Sequence, residues 1–199
     1  MKSKLRAWEI SALFALCMAL CAGTWAQGRQ ESISSQMLRL HVIAASDDER
    51  EQSIKLEVRD AVLACLTPRL AQTDSAEQAR EVISGSLEDV ARSAYAAAEG
   101  RGVEVRLCRE SYPTREYEGF TLPAGEYESL QVILGEGEGH NWWCVVFPPV
   151  CLSMCQAESV KSVMDSGDYA IVTEEEGYEL RFRTVELWGR LMEKLNGTT

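Results

Sequence analysis

Apolar residues recur along this chain with two periods, and the changes from one to the other mark out its elements. Between Met37 and Ile43, Leu38, Leu40 and Val42 alternate with Arg39, His41 and Ile43, which predicts a half-buried strand. Ser46 and Glu49 then read as a capping box, with Asp47 and Asp48 suited to the positive end of a helix dipole. Ile54, Val58, Ala61, Val62, Cys65 and Leu66 follow at helical spacing, with Leu56 and Leu63 widening the stripe, and Pro68 predicts an end or a kink. Ser75 and Gln78 open a second helix by the same capping signal. Ala79, Val82, Ile83, Leu87, Val90, Ala91 and Ala94 form its core face, and Gly100 and Gly102 stop it.

From Val103 the period becomes two. Val103, Val105 and Leu107 alternate with Glu104, Arg106 and Cys108 as a strand, and a turn-rich stretch through Pro113, Gly119, Pro123 and Gly125 leads to another over 126–134. The run 135–139 is a glycine-rich turn, read as a hairpin, and Trp142 to Phe147 forms the last strong strand before Pro148 and Pro149. In the tail, Tyr169–Val172 and Tyr178–Phe182 pattern as a hairpin around 174–177, and a terminal helix carries Trp188, Leu191, Met192 and Leu195 on one face. The order strand, helix, helix, strands implies an α+β fold: two helices packed on a mostly antiparallel sheet, with a C-terminal hairpin and helix. The chain accordingly divides into an N-terminal segment (1–26), a polar, unpatterned linker (27–36), a core domain (37–152) and a C-terminal appendage (153–199).

The first of these segments changes the reading of the whole. Lys2, Lys4 and Arg6 precede an apolar run from Ile10 to Ala22, interrupted by Ser11, and the small residues Gly23, Thr24 and Ala26 follow. That is the layout of a signal peptide, with cleavage after Gly23 or Ala26, or of a retained N-terminal anchor; either delivers the body outside the cytoplasm. The formal net charge is −11, and without residues 1–26 the chain keeps 17 basic residues against 30 acidic ones. Such a surface repels phosphate backbones, so nucleic acid is excluded as a partner.

Beyond that segment lie Cys65, Cys108, Cys144, Cys151 and Cys155. Cys65 falls on a helix face and reads as a small buried hydrophobe. A disulfide between Cys144 and Cys151 suits an exported protein and would close a loop over Pro148 and Pro149, with free buried thiols as the alternative. His140, Cys144, Cys151 and Cys155 lack a tight pair of zinc ligands, and Cys144 sits inside a strand, so no metal and no cofactor are expected.

Between Ser111 and Cys151 lie three distinctive stretches: SYPTREY (111–117), LPAGEYESL (122–130) and GEGEGHNWWCVVFPPVC (135–151). Together with LRLHVIAASDDEREQSIKLEVRDAV (38–62), and with RFRTVELW (181–188), they resemble the stage II sporulation protein R family of endospore-forming bacteria. One departure is Ala45, where the family pattern suggests asparagine. The resemblance implies a protein made in the forespore and exported into the space between the forespore and mother-cell membranes. There it would activate a mother-cell membrane protease of the aspartic type, which cleaves the precursor of an early sigma factor.

The residues themselves offer little catalytic chemistry. Nucleophile elbows, zinc-protease motifs and Walker loops are absent from the sequence, and the 135–139 turn carries two glutamates and leads into a strand, unlike a phosphate cradle. Partner binding is the expected role of His41, Arg59, Asp60, Arg115, Trp142 and Trp143. His41 lies opposite the apolar side of its strand, within reach of a carboxylate such as Asp60. Arg59 and Asp60, adjacent on a helix, point roughly 100° apart and are not expected to pair with each other. Arg115 sits in a loop beside aromatics, and the two tryptophans place their rings on opposite sheet faces. The competing readings are a cell-envelope hydrolase and a thiol-redox protein using Cys144 and Cys151.

Overall fold

The computed structural model describes residues 2–117, 119–150 and 160–173. In chain order the elements are α1 (Lys2–Ser35), β1 (Leu38–Ile43), α2 (Glu49–Leu70), α3 (Ala76–Gly85), α4 (Leu87–Ala97), β2 (Val103–Tyr112), β3 (Arg115–Tyr117), β4 (Phe120–Leu122), β5 (Gly125–Leu134), β6 (Asn141–Phe147) and α5 (Ser166–Thr173). Four strands form one sheet in the order β2-β5-β1-β6, while β3 and β4 pair separately. The fold is α+β and the sheet mostly antiparallel. β5 pairs antiparallel with β2, and β6 antiparallel with β1, but β1 and β5 run parallel, with Leu40 opposite Leu130 and His41 opposite Gln131. Parallel neighbours need a long crossover, which the helices and β2 supply here.

One sheet face carries the main core. Leu38, Leu40 and Val42 of β1 join Leu130, Val132 and Leu134 of β5 against Ile54, Val58, Val62 and Leu66 of α2, and against Ile83, Val90 and Ala94 of the next two helices. Burying each such Val, Leu or Ile side chain contributes about 1.5–3 kcal/mol. Leu63 joins this face, whereas Leu56 is exposed. α2 begins without the expected capping box: Asp48 is the N-cap and its side chain makes no cap bond, while the Ser46 hydroxyl donates to the Asp48 carboxylate at 2.8 Å. Pro68 does not end the helix, which runs two residues past it to Leu70. Side chains bond nearby carbonyls of this last stretch, Thr67 Oγ1 donating to Leu63 O at 2.6 Å and Arg69 Nη1 to Cys65 O at 2.9 Å.

The single helix expected from 76 onward is two helices. Ser86, at φ −108° and ψ 4°, leaves helical geometry and donates its N–H to Ile83 O at 3.0 Å. Gly85 is the weak point, having the low helix propensity of a residue without a Cβ. The Ser75 cap is present and accepts from Gln78 N at 3.3 Å.

The 135–140 segment is not a hairpin, because β1 lies between β5 and β6 and the segment arches over its end. Gly139 N donates to Ala44 O at 2.9 Å, pinning the arch to the chain leaving β1. A Cβ on Gly139 would stand 2.2 Å from the backbone oxygen of Ser46. Gly139→Ala therefore forces two backbone segments apart and is expected to cost about 2–3 kcal/mol, read from the urea midpoint. An unchanged midpoint would show that the arch adapts freely.

The opposite sheet face is also largely covered, which overturns the half-buried reading of β1. Ile33 and Met37 pack with Phe120, Leu122, Val145, Val150, Val160, Met164 and Val172 in a second core. Residues 27–35, expected to be an unpatterned linker, continue α1 and dock on the body. Asp168 of α5, 1% exposed, accepts from Ser32 Oγ at 2.5 Å, Gln36 Nε2 at 2.8 Å and Arg29 Nη1 at 3.1 Å. Tyr169–Val172, expected to be a strand, lies in α5 instead. Helical spacing puts Asp168 and Val172 on one face, and both are buried. The expected strand at Tyr178–Phe182 and the terminal helix lie outside the described residues.

Candidate partner-binding face

The outward positions of the sheet bring together residues from all four strands. His41 of β1 is opposite Trp143 of β6 and Gln131 of β5, and Arg39 is opposite Ser129. His41, 3% exposed, places Nδ1 at 2.9 and 3.0 Å from the two carboxylate oxygens of Glu110. Gln131 fixes that carboxylate by donating to it at 3.1 Å while accepting from Arg106 Nε at 2.7 Å. The partner of His41 is thus on β2 of its own sheet. Asp60, expected for this role, belongs to α2 on the other side.

Trp143 packs against this pair, with its ring 5.5 Å from that of His41 and 6.0 Å from that of Tyr112. The exposed Arg115 lays its guanidinium over the Trp143 ring at 4.4 Å. Arg115 was expected in a loop; it opens the short strand β3, whose hairpin with β4 lies within the turn-rich stretch.

The remaining three candidates form a separate group. Trp142 packs against the main core, and Arg59 covers its ring at 4.9 Å. Arg59 and Asp60 do pair, with Nε and Nη2 at 2.8 and 2.7 Å from Asp60 Oδ1. The divergence of their Cβ directions is real, but the arginine side chain is long enough to curl around it. The two tryptophans lie on opposite faces, as their adjacency in a strand requires.

Arg39 was not among the expected site residues, yet it is the most unusual. Its guanidinium is wholly buried, 3.8 Å from the Tyr112 ring and 5.2 Å from the Tyr127 ring, and Nη2 donates to Tyr117 Oη at 2.7 Å. Tyr112 Oη is bonded to Ser129 Oγ at 2.6 Å, and Tyr127 Oη donates to Pro123 O at 2.7 Å. Burial pushes the phenols of Tyr112, Tyr117 and Tyr127 above the ordinary tyrosine range, so all three stay neutral. Glu110 and Tyr112 stand two residues apart on β2, the spacing that places both on one strand face and the available sequence signal, whereas Tyr117 joins from β3 through tertiary packing that local spacing does not show.

Cys144 is buried in β6 and disulfide-bonded. Cys151, its expected partner, and Cys155 lie outside the described residues. His140 pairs with Asp47 through both its backbone N–H and its ring. Among the described residues no three His, Cys, Asp or Glu side chains are grouped to hold a metal ion.

A family model described as stage II sporulation protein R matches residues 34–157, which include β1 to β6 and the whole of this face. The chain belongs to the stage II sporulation protein R family. A curated relative, the stage II sporulation protein R of Bacillus subtilis (strain 168), is 38% identical over 138 residues, covering 67% of this chain and 62% of the relative. The chain thus spans less than two-thirds of that relative's length. No solved structure matches. Family members are sporulation proteins, and the match begins beyond the apolar part of α1. Residues Arg6–Ser35 contain a stretch long and apolar enough to cross a membrane, a property that signal sequences near an N-terminus share.

Proposed function

We propose that this protein is an exported, non-catalytic signal. In this reading it binds the extracytoplasmic part of a membrane-embedded aspartic protease of the mother cell, from the space between the two membranes, and so starts cleavage of an early sigma-factor precursor. Family membership over residues 34–157 carries this reading. The unburied apolar helix supports export, and the exposed Arg115 stacked on Trp143 supports contact with a protein, since arginine and tryptophan are the side chains most often found at energetic centres of interfaces.

Co-expression with the protease and the sigma precursor, in a host lacking all three, tests it. Cleavage is expected only when all components are present and this protein is exported. Exported, folded protein with no cleavage would contradict the reading, and turnover of an envelope substrate by the purified chain would replace it with the hydrolase alternative.

A further inference from the structure

We propose that Arg39, with Arg115 nearer the surface, forms a receptor for a carboxylate side chain presented by the protein partner; the partner's nature rests on the function proposed above, the site itself does not.

The starting point is a buried charge without a counter-charge. A guanidinium does not lose its proton in a protein, and burying one unpaired is among the costliest arrangements available to a fold. Arg39 nonetheless has two nitrogens, Nε and Nη1, with no hydrogen-bond partner, and His41 Nε2, two residues along on the same face, has none either. Among the described residues no carboxylate lies within ion-pair distance of Arg39. Of the acids that β2 places on this face, Glu110 is taken up by His41 and Gln131, and Glu104 pairs with Arg106. The three tyrosines stay neutral and supply no negative charge.

The surroundings select the shape of the missing acceptor. The Tyr112 and Tyr127 rings pack on the guanidinium, and both hydroxyls are committed elsewhere, so the rings are held in place. The two rings stand at 89° to each other, with Tyr112 the nearer to the guanidinium; guanidinium N–H bonds lie in the plane of the group, and an acceptor must therefore come in along that plane, past the Tyr112 ring. A planar carboxylate can lie wholly in that plane, whereas a tetrahedral phosphate projects oxygen atoms out of it. The one acceptor in place, Tyr117 Oη, is neutral, and its residue is only half-buried. Exchanging a phenol for a carboxylate replaces a neutral hydrogen bond with a charge-assisted one of roughly twice the strength. Arg115, exposed on the same strand as Tyr117, offers an outer cation in a chain whose net charge is −11, and so steers an acidic group toward this point.

The test is a titration of the full chain in an uncharged detergent, following the Arg39 Nε–H resonance in proton–nitrogen spectra, assigned by its loss in Arg39→Lys. Sodium acetate is expected to shift that resonance saturably, with sodium chloride at matched ionic strength leaving it in place. A glutamate-containing peptide is expected to bind at least about tenfold more tightly than its glutamine counterpart, a difference that disappears in Arg39→Met and shrinks in Arg115→Ala. A resonance that does not move, that moves equally with chloride, or that responds to inorganic phosphate and not acetate overturns the proposal. Because the titration needs no protease, acetate binding alongside failed sigma-precursor cleavage would leave the site standing and remove the function; the reverse result would do the opposite.

Discussion

Trp143→Ala is expected to weaken binding to the proposed protease partner by about ten- to a hundredfold, with the fold retained. The ring is half-buried, supports Arg115 from below and closes over His41 and Tyr112, so its loss dismantles three contacts at once on the outer face. Its neighbour provides the control. Trp142 packs on the main core beneath Arg59, and Trp142→Ala is expected to lower stability by about 2–3 kcal/mol with little direct effect on affinity. Affinity measured by calorimetry against the extracytoplasmic part of the proposed protease partner, set beside urea midpoints for both variants, separates the two roles. Equal losses of affinity from the two substitutions would mean that the outer face has no special place in recognition.

The second large effect is on stability. Asp168→Ala is expected to destabilise the protein by about 2–3 kcal/mol, because it removes a buried carboxylate and strands the donors gathered around it. Ser32 Oγ, Gln36 Nε2 and Arg29 Nη1 all converge on this one side chain. Arg29 is half-exposed and contributes least. Ser32→Ala, which removes one donor and leaves the carboxylate with two, is expected to cost about 1 kcal/mol. Chemical denaturation followed by tryptophan fluorescence measures both. An Asp168→Ala midpoint within error of the parent protein would mean that α1 and α5 are only loosely seated.

Much of the main core was legible in the sequence, since Leu38, Leu40, Val42 and the Ile54–Leu66 stripe need only local periodicity to be assigned a face. Periodicity does not say what covers the other side. Arg39 and His41 alternate with the core residues, as solvated positions do; their cover comes from Tyr112, Tyr117, Tyr127 and Trp143, far along the chain, the bonded pair Arg39 and Tyr117 being 78 residues apart. The same limitation hid α5. Tyr169–Val172 alternates weakly enough to pass for a strand, and only the partners of Asp168, 132 to 139 residues earlier, reveal why the helix is preferred. The six candidate residues fall into two groups because adjacent residues in a strand face opposite ways: Trp143 belongs with His41 and Arg115, Trp142 with Arg59 and Asp60. Cβ directions alone do not exclude the pairing of Arg59 with Asp60, because they bound the reach of short side chains but not of arginine.

The continuity of α1 bears on how the body is held. Ala26 and Arg29 are three residues apart in one helix, a rise of only about 4.5 Å, and Arg29 is already attached to α5. No swivel separates the greasy rod from the globule, so whatever grips the rod also sets the tilt and height of the sheet. Trimming after Gly23 or Ala26 would release that grip, yet leave Arg29, Ser32, Ile33 and Gln36 in their seats as a ready-made plug.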